Sequence, residues 1–188
     1  DARREFYKTN APAMDILVSS NLERLVWFMV NGDSEKVNKY MEELKETGVY
    51  KVDDETLARV QKEFKAGCLG EEDVLKVVHD CWNENKYLLD THTAVGYGVY
   101  EEYVKTTGDT TKTILLSTAS PYKFPESVYQ ALTGEEVDVY TAIEKLHELT
   151  GMDISYPLKG IKDREILHKG VIDKDAILDT IADKIKEY

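Results

Sequence analysis

A short apolar run, Ile114-Leu115-Leu116, ends abruptly in Ser117-Thr118-Ala119-Ser120-Pro121-Tyr122-Lys123-Phe124. An apolar run bounded by turn formers reads as a buried strand. Pro121 closes it, because proline offers no N–H to a ladder. The clearest expected strand therefore covers residues 113 to 117. In open α/β sheets, ligands gather at the carboxyl ends of strands. Small hydroxyls at that place can meet a bound ring or a phosphate. This segment directs the chain towards a helix-covered sheet whose strand ends face a cleft.

The flanking sequence supplies many helices and few strands. Ile16-Leu17-Val18 is a second apolar run, followed by the helix-capping types Ser19, Ser20 and Asn21. Leu22, Leu25, Val26 and Phe28 then predict a buried helix that stops at Asn31-Gly32. Residues 33–84 read as a helical elaboration within the fold, of three amphipathic helices. The first carries Val37, Tyr40, Met41 and Leu44 and ends at Gly48. The second carries Leu57, Val60 and Phe64 and ends near Gly67. The third carries Val74, Leu75, Val78, Cys81 and Trp82.

Tyr87-Leu88-Leu89 reads as a short strand, and Thr93 to Tyr103 as a helix. Gly96 and Gly98 inside that helix cost about 1 kcal/mol each relative to alanine. Such positions mark close approach of a backbone or a ligand. Residues 125–188 form a C-terminal helical segment. Pro125 suits a first helical position, and Val128, Tyr129 and Leu132 follow it. Ala142, Ile143, Leu146 and Leu149 define a second helix, closed by Gly151. A last helix starts at about Asp173 and carries Ile177, Leu178, Ile181 and Ile185. The predicted class is α/β, a helix-rich part of a doubly wound sheet with few strands.

Composition narrows the function classes. The chain has 188 residues, 42% of them hydrophobic, enough for a real core. Its net charge is -12, from 24 basic and 36 acidic residues, which disfavours nucleic-acid binding. No apolar run approaches the roughly 18 residues of a membrane span. Residues 1 to 6 have no signal-peptide character, so the expected compartment is the cytoplasm. Cys68 and Cys81 read as packing thiols rather than a disulfide. No metal-ligand spacing is present, and Gly96-Tyr97-Gly98 meets Glu101 where a dinucleotide fingerprint needs glycine.

Four groups of side chains are candidates for a site. Thr118 and Ser117 sit at the expected strand end, where they either face a ligand or cap the next turn. Asp90 and Thr91 suit a helix cap. His92 beside them either binds an anionic group, moves a proton, or is structural. Ser19 and Asn21 open a helix as an anion-binding corner or an ordinary cap. Arg24 either grips a carboxylate or is solvated. Lys123 either holds an anion at a cleft mouth or is a turn lysine.

Three segments carry a family resemblance: residues 10–24, residues 90–96 and residues 117–124. In this order they resemble the C-terminal part of threonine synthase, and with the helical tail the match spans 1–188. The resemblance implies a pyridoxal phosphate (PLP) enzyme of fold type II, the tryptophan synthase β-like fold. It implies a lyase of threonine biosynthesis, converting O-phospho-L-homoserine and water to L-threonine and phosphate. In that frame Thr118, with Ser117 or Ser120 as fallback, is the hydroxyl partner of the cofactor's ring nitrogen. Asp90, His92, Ser19, Asn21, Arg24 and Lys123 are the candidates for substrate contact. The family's Schiff-base lysine and glycine-rich phosphate loop belong to an N-terminal portion upstream of these residues. The lysine stands there in a serine-phenylalanine-lysine run, which Lys8, Lys65, Lys123 and Lys159 do not match. The chain is thus expected to hold no catalytic residue of its own and to be inactive alone. Its expected partners are that N-terminal portion and a phosphorylated amino-acid substrate. The alternatives are a related PLP-dependent amino-acid dehydratase, or a non-catalytic interaction module of the same fold that docks through residues 33–84.

Overall fold

The computed structural model describes residues 1–187 and resolves into two compact units, Asp1–Ile154 and Ser155–Tyr188. The first unit is built of α1 (Ser20–Met29), α2 (Ser34–Thr47), α3 (Asp54–Glu63), α4 (Glu71–Asn85), α5 (Thr91–Thr107), α6 (Pro125–Thr133) and α7 (Val139–Thr150). No helix among the described residues is long and apolar enough to cross a membrane.

Local chemistry sets most of these boundaries. Asp33 accepts a hydrogen bond from Lys36 N–H, and Asp53 accepts one from Thr56 N–H. Asp90 and Asp138 do the same for the first turns of α5 and α7. Each carboxylate satisfies amides that have no partner within the helix. Gly108 closes α5 at φ +68°, a left-handed conformation that side chains other than glycine rarely adopt. The second predicted helix of the 33–84 block stops at Glu63, short of Gly67, because Phe64 already takes an extended conformation. The stretch after it lies against α5. A Cβ at Gly67 would stand 2.8 Å from Val99 Cγ1.

Two helical packs share the first unit. α1 lies on α2 and α3 over Val26, Val30, Val37 and Tyr40, with Met41, Tyr50 and Val52 at the margin. α4 packs against α5 and α6, and α6 against α7. Val74, Val78, Ala94, Val128, Ala142 and Leu146 are buried there. Gly98 makes the close approach that its place in a helix predicts. A Cβ on it would be 2.5 Å from Leu69 Cδ1 and 3.0 Å from Val77 Cγ2. Gly96 is not so confined, since its nearest neighbour would be Leu115 Cδ1 at 3.5 Å.

The expected strands do not form among the described residues. A strand needs a neighbour to take its N–H and C=O groups, and none lies beside 113–117. Ile114 is 84% exposed and Leu116 75%. The run 16–18 likewise has no strand beside it; its Leu17 C=O accepts from Arg4 Nη2, and Ile16 and Val18 are exposed. Leu88 and Leu89 are buried, but as a connection leading into α5. In the second unit, short helical turns lead to α8 (Ile177–Lys186). Leu178, Ile181 and Ile185 of α8 are exposed.

Asp53 ties α2 to α3. It accepts from Tyr40 Oη at 2.9 Å and pairs with Lys36 Nζ at 2.5 Å while capping α3. Lys36 foremost, then the Thr56 amide and Tyr40, hold its carboxyl well below the usual carboxylate range. A lowered folded-state value stabilises the fold fully above the unfolded value of about 3.9 and is lost as pH falls. The urea midpoint should therefore drop between about pH 5 and pH 2 more steeply in the unsubstituted protein than in Asp53→Asn. Equal slopes in paired titrations would refute this role.

Candidate functional site

The first turn of α5 is unusual for a helix start, because its polar side chains are buried. Asp90 and Thr91 have no exposed surface, Thr93 has 3% and His92 has 5%. A buried carboxylate is costly unless donors surround it. Asp90 Oδ1 accepts from His92 N–H at 2.9 Å, Thr93 N–H at 3.3 Å and His92 Nδ1 at 3.1 Å. Asp90 Oδ2 accepts from the Thr93 hydroxyl. Four donors thus converge on one carboxylate.

His92 carries the connection further. Its Nε2 accepts from Ala13 N–H at 3.0 Å. A ring nitrogen that accepts has no proton, so Nδ1 bears it and donates to Asp90. The ring also meets Phe124, with centroids 4.8 Å apart. Thr93 reaches in another direction, since its Oγ1 accepts from Thr118 N–H at 3.3 Å. The three sequence segments singled out above therefore meet around Asp90 and His92. Ala13 represents the first, Asp90 to Thr93 the second, and Thr118 with Phe124 the third.

The remaining candidates lie in varied settings. Ser117 and Thr118 are exposed, and the Thr118 hydroxyl has no hydrogen-bond partner among the described residues. Ser120 is committed to the next turn, where its Oγ accepts from Tyr122 N–H at 3.2 Å. Lys123 places Nζ 5.5 Å from the Phe124 ring centroid. Ser19, Asn21 and Arg24 are exposed at the start of α1, and no bond among the described residues joins them to Asp90, His92 or Thr118. Arg24 lines a cavity of about 350 Å³ with Ser20, Glu23, Trp27, Ser34 and Asn38. Ser19 lines another of about 250 Å³, with Leu17, Met41 and Tyr50 among its walls.

Sequence reasoning missed Thr93, Ala13 and Phe124. Thr93 stands three residues after Asp90, the spacing at which a first-turn hydroxyl returns to its cap. That signal was available for one of its two bonds only. Removing the carboxylate should orphan these donors together. Asp90→Ala is expected to cost about 3 kcal/mol, a lost cap plus unpaired buried donors. Equilibrium denaturation would show it, and a loss under about 0.5 kcal/mol, an ordinary surface effect, would contradict the network.

The family model described as threonine synthase, C-terminal, matches residues 93–154. A threonine synthase of Saccharomyces cerevisiae is 38% identical over 140 residues, covering 67% of this chain and 27% of the relative. Human threonine synthase-like 2 is 31% identical over 137 residues, covering 72% and 28%. The chain thus spans about a quarter of the length of the curated relatives it matches. Among solved structures, threonine synthase from yeast aligns with a TM-score of 0.78 at 28% identity, over 98% of this chain and 38% of that one. A PLP-bound threonine synthase from Brucella melitensis aligns with a TM-score of 0.64 at 30% identity, over 85% and 34%. With the family model, the relatives and the solved structures in agreement, the chain corresponds to the C-terminal portion of the threonine synthase family.

Proposed function

We propose that this chain forms one wall of the active-site cleft of a PLP-dependent threonine synthase acting on O-phospho-L-homoserine. The observation that carries the reading is the Thr118 hydroxyl, exposed and unclaimed on a backbone whose amide is anchored by Thr93. The donor set fits the cofactor's ring edge. A hydroxyl hydrogen-bonds an unprotonated ring nitrogen, whereas a carboxylate would hold that nitrogen protonated. The carboxylate nearest in the network, Asp90, is buried and already met by four donors. The cleft is thus offered neutral hydroxyls, Thr118 and beside it Ser117.

When bound, PLP supplies the electron sink at the reacting carbon. The chain's own residues orient and tune. Thr118, with Ser117 alongside, would hold the ring nitrogen. Asp90 and His92 hold the wall together and need not touch substrate. Lys123, over the Phe124 ring, places a cation where a substrate anion enters. Arg24, with Ser19 and Asn21, offers a second anion contact on α1. The Schiff-base lysine and phosphate loop come from the remaining portion of the enzyme, so this chain alone has no turnover. The unpaired thiols Cys68 and Cys81 suit a cytoplasmic enzyme.

The full-length enzyme carrying Thr118→Val tests the reading. Threonine formation should fall about tenfold, equivalent to 1.4 kcal/mol of barrier, with a shifted visible absorption of the bound cofactor. An unchanged spectrum and rate would remove Thr118 from the site. The 188-residue chain alone should release no phosphate from O-phospho-L-homoserine. Sustained release would overturn the division of labour between the two portions.

A further inference from the structure

We infer that Thr93 is a positioning residue, setting the place of Thr118 and through it the environment of the cofactor's ring nitrogen. The inference rests on the reading of Thr118 given above. A threonine hydroxyl has one proton to donate and lone pairs to accept with. An ionised carboxylate only accepts. Asp90 Oδ2 therefore accepts the hydrogen bond that the Thr93 hydroxyl donates, and the lone pairs of Thr93 Oγ1 are left to face Thr118 N–H at 3.3 Å. The carboxylate sets the direction of a rotor that could otherwise turn either way. Thr93 is buried and held on α5, whereas Thr118 is exposed on a segment without a ladder. Before Thr118 the segment offers little anchorage, for Ile114 and Leu116 are largely exposed; after it, Pro121 and Tyr122 are buried, and Tyr122 Oη donates to Met152 C=O at 2.7 Å. The contact spans 25 residues of sequence and joins a buried helix start to an exposed turn. On its other oxygen Asp90 accepts from the His92 and Thr93 amides and from His92 Nδ1, so the same carboxylate also fixes Ala13 through the imidazole. Thr93 is thus the link by which the buried network reaches the cleft.

The test uses the full-length enzyme with Thr93→Val, Thr93→Ser and Thr118→Val, each checked for folding by circular dichroism. Hydrogen exchange of the Thr118 amide is read without regard to activity, and the visible spectrum of the bound cofactor is read beside it. Thr93→Val should speed exchange at Thr118 about tenfold, the equivalent of one hydrogen bond's net contribution. It should also shift the cofactor spectrum in the direction of Thr118→Val. Thr93→Ser, which keeps the hydroxyl, should restore both. If Thr93→Val fails to fold, Thr93→Ala takes its place in the same comparison. Unchanged exchange at Thr118 in the folded variant overturns the inference. So does a cofactor spectrum that moves in Thr118→Val and not in Thr93→Val. An unmoved spectrum in Thr118→Val overturns the reading of Thr118 itself, whatever the exchange at its amide shows.

Discussion

The buried carboxylate of Asp90 is the constraint on which the meeting of three distant segments depends. A charge with no exposed surface is tolerated only when donors surround it. Here the donors are two backbone amides, an imidazole and a hydroxyl. Two of those donors have second bonds of their own, to Ala13 and to Thr118. Satisfying one carboxylate therefore orders the start of α5, the segment before α1 and the turn after residue 117. Partial loss of such a network is worse than its absence, because each orphaned group keeps its desolvation penalty.

The helices give this network something to stand on. α5 is gripped by α4, and Gly98 lets Leu69 and Val77 approach closer than any side chain on that position would allow. α6 follows directly from Phe124, whose ring meets His92. The start of α1 belongs to a different pack with its own core, and it has its own cavities. In the proposed function the Thr118 turn and the start of α1, which carries the second anion contact, would thus stand on separate packs of the chain.

Much of this was legible in the residues, and the reason is distance along the chain. Asp33, Asp53, Asp90 and Asp138 cap helices through amides two or three residues away, a local act that any observer of the sequence can anticipate. The apolar stripes through Val37 and Tyr40, and through Ala142, Ile143 and Leu146, show the 3.6-residue period and are buried as that period requires. The strands at 16–18, 87–89 and 113–117 could not be read in the same way. Their apolar character was correct, but a strand exists only with a neighbour, and none is formed among the described residues.

The end of α3 at Glu63 and the exposure of Leu22 and Phe28 on α1, read as buried, lay beyond the sequence. The sequence by itself determined the caps that open α2, α3, α5 and α7, the buried apolar stripes of α2 and α7, and the three segments that resemble the family. Each depends on residues within a turn or two of one another. Only the tertiary structure decided that His92 receives Ala13 N–H across 79 residues and that Thr93 receives Thr118 N–H across 25. It also decided that Asp90 and His92 are buried while Thr118 is open. A hydrogen bond between distant segments needs both ends brought to within about 3 Å by packing, and no local pattern of residue types records that meeting.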